Sequence, residues 1–150
     1  MRSVLPIITS VLLIVNINTP AIAIIKNTDF DNYNIDFSGI SLVDINTNKL
    51  DFCQKRYEAG FTTANHPGST QFSVKLISDK GHEITVVSRS VDVTEGIFSI
   101  TSQHEIIFPE DISNTPIRLD VFTTGLIGHS DASGIFSDGI CRGLIHIVKI

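Results

Sequence analysis

Residues 139–150 read G-I-C-R-G-L-I-H-I-V-K-I, and the placing of this stretch decides the fold. After Cys141 it is mostly β-formers. A strand sends alternate side chains to opposite faces. Cys141, Gly143, Ile145, Ile147 and Lys149 share one face; Arg142, Leu144, His146, Val148 and Ile150 share the other. Both faces are largely apolar, so the strand needs cover on two sides and a paired neighbour. Left at a sheet edge it would template aggregation. Either this chain pairs it, or a strand from another chain does. In the second case Leu144, Ile145, His146, Ile147, Val148 and Ile150 form an edge open to pairing.

Upstream, strand patterns recur every ten to fifteen residues, separated by turn chemistry. Residues 34–45 predict a first strand, with a bulge at Gly39. Residues 49–57, which carry Cys53, predict a second. In 71–78, Phe72, Val74 and Leu76 alternate with Ser73 and Lys75, and Asp79-Lys80-Gly81 turns the chain into 82–91, with Ile84 and Val86 inward. Shorter strands are predicted over 93–101, after a pause at Asp92, and over 103–108, ended by Pro109. In 115–124, Ile117, Leu119 and Val121 oppose Arg118 and Asp120. Residues 125–139 are rich in glycine and serine and predict a long loop or a weak, bulged strand. No segment shows convincing helical periodicity. The fold class is all-β, an antiparallel β-sandwich.

The chain opens Met1-Arg2, continues through an apolar run to about residue 17, and reaches Ala21-Ile22-Ala23. This predicts a secretory signal peptide over 1–23 and one domain over 24–150. The apolar run is shorter than the ~20 residues a spanning helix needs. Without Arg2 the chain holds 10 basic against 16 acidic residues, which excludes a basic nucleic-acid surface. Two cysteines in an exported chain predict a disulfide between Cys53 and Cys141. In the loop-entropy model, closing a loop of that length stabilises by ~4–5 kcal/mol.

Motifs for chemistry are absent. His66, His82, His104, His129 and His146 show no zinc spacing, so solvated or hydrogen-bonded histidines are expected. His129-Ser130-Asp131 names the residue types of a triad, but three consecutive residues cannot converge as one. The glycine-rich stretch has no phosphate-loop lysine. The expectation is a binding protein, not an enzyme, with no cofactor and no metal.

The segment 41–61, S-L-V-D-I-N-T-N-K-L-D-F-C-Q-K-R-Y-E-A-G-F, resembles the minor, invasin-type subunits of Afa/Dr and aggregative adherence fimbriae. The likeness lies in Phe52-Cys53-Gln54-Lys55, Gly60-Phe61 and Gly139-Ile140-Cys141; the apolar tail after Cys141 is longer than in that family. The resemblance implies an incomplete immunoglobulin-like fold completed by a donated strand. It implies a periplasmic chaperone and an outer-membrane usher, a major fimbrial subunit as strand donor, and a place on the fimbrium at the bacterial cell surface. Such a subunit would meet a host cell-surface receptor and mediate adherence to, or invasion of, epithelial cells. The alternative is a self-contained secreted or periplasmic β-sandwich acting as a ligand-binding or inhibitor module.

Overall fold

The structure, a computed structural model, describes residues 32–70 and 73–150. The expected signal peptide over 1–23 and the inward Phe72 lie outside the described residues. Among the described residues the chain is all-β apart from one short helix. Its strands are β1 (Tyr33–Leu42), β2 (Phe61–Asn65), β3 (Lys75–Ser78), β4 (Glu83–Thr94), β5 (Ile97–Ile107), β6 (Ile117–Leu126), β7 (Asp131–Ser137) and β8 (Cys141–Lys149), and helix α1 (Leu50–Tyr57) joins β1 to β2. Each strand pairs antiparallel with the next, and β8 returns to β1 to close a barrel.

Closure corrects the expectation of an open last strand. On one side β8 runs from Tyr33↔Lys149 to Leu42↔Cys141 against β1. On the other it runs from Asp131↔Val148 to Ser137↔Arg142 against β7. Leu144, Ile145, His146, Ile147 and Val148 are therefore laddered on both sides, and the Ile150 N–H donates to the Asn32 carbonyl. A meander whose first and last strands meet leaves no edge at its terminus.

Residues 49–57 are the second correction, because 50–57 form α1 and not a strand. Leu50 and Phe52 alternate like a strand, yet both are exposed, while Cys53 and Tyr57 are buried. Those two stand four apart, on one helical face. Asp51 in the first turn and Lys55 and Arg56 in the last suit the helix dipole. Gly60 then takes φ 55°, and a Cβ there would come within 2.4 Å of the Ile35 carbonyl oxygen. Only glycine allows that approach, so the chain turns sharply into β2.

Two hairpins also differ from expectation. No break occurs at Asp92, which stays in β4; the turn is Glu95-Gly96, both with positive φ, the geometry of a two-residue hairpin. The stretch 125–139 contains β7, which turns Ala132, Gly134 and Phe136 inward. Glycines on the strands either side of it make room for rings. The Phe98 ring occupies the space a side chain at its register partner Gly125 would need, and Phe136 does the same over Gly143. The bulge expected at Gly39 is present, between Ser38 and Ser41.

Helix α1 closes the barrel end where β1 finishes and β8 begins. Cys53 bonds to Cys141, with Cα atoms 5.5 Å apart. Tyr57 packs among Phe37, Phe108 and Phe136 at ring separations of 4.9, 6.2 and 4.6 Å. Each buried phenylalanine contributes about 2–3 kcal/mol through area alone. Asp138, with a fully buried side chain, accepts from Arg56 Nη1 at 3.2 Å, from the Tyr57 hydroxyl at 2.8 Å, and from the Ile140 and Cys141 N–H groups. The Arg56 guanidinium lies between the Phe52 and Phe108 rings, 4.2 Å from each centroid. Burial, and next the Asp138 carboxylate, push the Tyr57 hydroxyl far above its ordinary pKa.

Candidate functional site

Beyond this plug the interior is only partly filled, by a second cluster of Phe98, Ile100 and Ala132. A cavity of about 110 Å³ lies in the middle of the barrel, partly open to solvent. Phe37 and Phe61 line it near the plugged end; Ile35, Ile145 and Ile147 line it from β1 and β8; Val74, Leu76 and Val86 face them. Small barrels usually fill such space with side chains or hold one small ligand there. An engineered apolar cavity of about 150 Å³ accepts benzene, so this one suits a guest of roughly that size.

One wall is polar. Arg89 on β4, Ser102 and His104 on β5, and Thr123 on β6 line the cavity together. Arg89 stands directly opposite Ser102 in the β4–β5 ladder. Strict alternation from Ile84 and Val86 would aim Arg89 outward. A bulge between Val86 and Ser88 shifts the phase by one residue, so Arg89 faces the same side as Ile84. Of the polar residues at the site, sequence reasoning named His104 and missed Ser102, Thr123 and Arg89. The available signal for Arg89 was a long β-run, V-V-S-R-S-V-D-V, with no single consistent alternation.

Ser102 Oγ and His104 Nε2 are hydrogen-bonded at 2.9 Å. The ring's Nδ1 is buried and has no hydrogen-bond partner among the described residues. Burial, and next the positive charge of Arg89, lower the His104 pKa to about 4, with Asp120 opposing. His104 is therefore a neutral imidazole at neutral pH. Among the described residues the cavity lining contains no Asp or Glu, so its formal charge is that of Arg89.

The other histidines serve elsewhere. His82 is buried between Phe61 and Phe108, at 5.1 and 4.9 Å, and burial lowers its pKa. His146 faces outward and meets Asp131 at 3.2 Å. Among the described residues, no cluster of His, Cys, Asp or Glu could hold a metal ion. Of the residues expected to form an open edge, Ile145 and Ile147 instead line the cavity. Leu144 points outward and lies in register with Ile135 and Phe122, an exposed apolar row across three strands.

No protein-family model, curated protein or solved structure matches this chain.

Proposed function

We propose that the chain is a small-molecule binding protein that holds an apolar guest inside its barrel. The observation that supports this is the unfilled, mostly apolar cavity in a barrel otherwise packed by interlocking rings. A void of that size costs stability, and a guest seated there recovers the lost contacts. The reading corresponds to a self-contained ligand-binding module. A fimbrial subunit awaiting a donated strand would need its last strand open, and β8 is paired along both sides. Ser102 is hydrogen-bonded to His104, but a ring with its pKa lowered to about 4 is a weak base and its Nδ1 has no orienting partner among the described residues, which favours binding over catalysis.

Benzene, which is neutral and of matching size, provides the test. Isoleucine and valine methyls of the purified chain are followed by NMR as benzene is added. Saturable shifts confined to the lining methyls, among them those of Ile35, Val86, Ile145 and Ile147, are expected. Shifts scattered over the exposed Val43, Ile45 and Ile112, or none, would dismiss the cavity as a packing defect.

A further inference from the structure

We infer that the outer face of β6, β7 and β8 is the interface of a symmetric homodimer, in which two copies of the chain meet along β7 and Asp120 of each pairs with Arg142 of the other. The inference does not depend on the cavity, which lies on the inner side of the same strands.

Strand register carries the argument. Phe122, Ile135 and Leu144 stand opposite one another across the three strands and are 40, 57 and 53% exposed. The adjacent outward row, two residues along each strand, is Asp120, Ser137 and Arg142. Its centre is small and neutral, and its ends carry opposite charges. On the flanking strands these two rows continue into Gln103 and Thr101 of β5, and into Ser41 and Ser38 of β1. An apolar strip with a polar margin is the layout of an interface core and rim.

The two rows are complementary to themselves under one operation. Place two copies face to face, with a two-fold axis between them running along β7. The axis lays β6 of one copy over β8 of the other. Ile135 then meets Ile135, Phe122 meets Leu144, and Asp120 meets Arg142 twice. At the margins Gln103 lies over Ser41 and Thr101 over Ser38, so these rows oppose no like charges. A two-fold at right angles to β7 through Ile135 lays each strand over itself. It would set Asp120 over Thr124 and Arg142 over His146, and no ion pair forms. Charge therefore selects the first axis.

Within one chain Asp120 and Arg142 flank Ser137 and are two strand spacings apart, about 10 Å. Each has a nearer partner: Asp120 accepts from Arg118 Nε at 2.9 Å, and Arg142 Nε donates to Ser41 Oγ at 3.4 Å. A carboxylate has acceptor sites, and a guanidinium has donors, enough to keep these contacts and add the pair between copies. The face is only a few strands wide, at the small end of interface size, under roughly 800 Å² per partner. The dimer should therefore dissociate on dilution.

Sedimentation of the purified chain from about 10 μM to about 1 mM is the test, because a small interface gives weak association. A monomer–dimer equilibrium is expected. Ile135→Glu puts two like charges on the axis and should weaken it at least about thirtyfold, the loss typical of a central interface residue. Asp120→Arg alone opposes two arginines at both pairs, and Arg142→Asp alone opposes two acids, so each should stay monomeric. An equimolar mixture of these two variants re-forms both pairs and should dimerise. All three positions are exposed, and thermal unfolding checks that each variant is folded. If a charge variant does not fold, the unchanged chain and Ile135→Glu decide. A chain that is monomeric at the highest concentration overturns the inference. So does a dimer indifferent to Ile135→Glu, or a mixture of the folded charge variants that fails to associate.

Discussion

The two ends of the barrel interior are built to different rules. At the end closed by α1, Phe37, Tyr57, Phe61, Phe108 and Phe136 interlock around a disulfide and a buried ion pair. At the other, aliphatic walls surround a cavity, and its polar wall is only partly satisfied within the chain. The difference separates two tasks. Rings, the cross-link and Asp138 hold the fold together at one end, so the other can tolerate empty space and a charge. Binding sites often sit where packing is weakest; here that weakness is set against a stapled plug.

The largest effect is expected from removing the staple. Replacing both cysteines, Cys53→Ser with Cys141→Ser, should lower unfolding free energy by about 4 kcal/mol in urea titration. Hydrogen exchange should accelerate in α1 and at the start of β8 before it does in β5 and β6. Uniform acceleration would mean that the two ends are not distinct. Next comes Asp138→Ala. It leaves Arg56 buried without its carboxylate and the Tyr57 hydroxyl without its acceptor, at a cost of about 3–5 kcal/mol. Asp138→Asn keeps an oxygen for the Ile140 and Cys141 N–H groups and should cost clearly less. Equal losses for the two changes would assign the stability to the ion pair and not to those turn hydrogen bonds.

Acid should act on the cavity end. The folded-state pKa of His104 is about 4, below the ordinary 6.5, so the unfolded chain takes up the proton first. The stabilisation is complete above about pH 6.5 and is lost as pH falls toward 4, where it levels off. With the ring's partial exposure allowed for, the loss is roughly 2–3 kcal/mol. His82, lowered in the same direction, adds to the slope from the plug side. His104→Gln should flatten much of the dependence between pH 6.5 and 4. An unchanged slope in that variant would place the titrating group elsewhere.

Much of this architecture is legible in residue order. Alternation at Ile84–Val86 and at Ile117–Leu119–Val121 placed the core faces correctly, because a half-buried strand writes its burial directly into its sequence. Gly39 and Asp79-Lys80-Gly81 marked their bulge and turn through required backbone angles. The pairing of Cys53 with Cys141 followed from their being the two cysteines of the chain. Three features were hidden. The eight residues of α1 give too few turns for a period to emerge, and Leu50 and Phe52 imitate a strand. Closure into a barrel depends on β1 meeting β8, a long-range event that the apolar faces of 141–150 permit but do not dictate. Arg89 turns inward because of a bulge that no glycine announces, so alternation from Ile84 and Val86 does not reveal the charged residue of the site.

The smallest expected change in stability gives the sharpest form of the contrast between the ends. Ile106 is fully buried in the ring-packed cluster and does not border the cavity, whereas Ile147 borders it. Adding a ring at each position asks whether space is available. Ile106→Phe should force neighbouring side chains off their rotamers and cost about 1–3 kcal/mol. Ile147→Phe can place its larger side chain in the void, so its stability should stay within about 1 kcal/mol of the parent, and a gain is allowed. Its binding behaviour should move in the opposite sense, with benzene losing its site. If the two substitutions cost the same, the space beside Ile147 is unavailable to a side chain, and a guest of similar size could not enter it either.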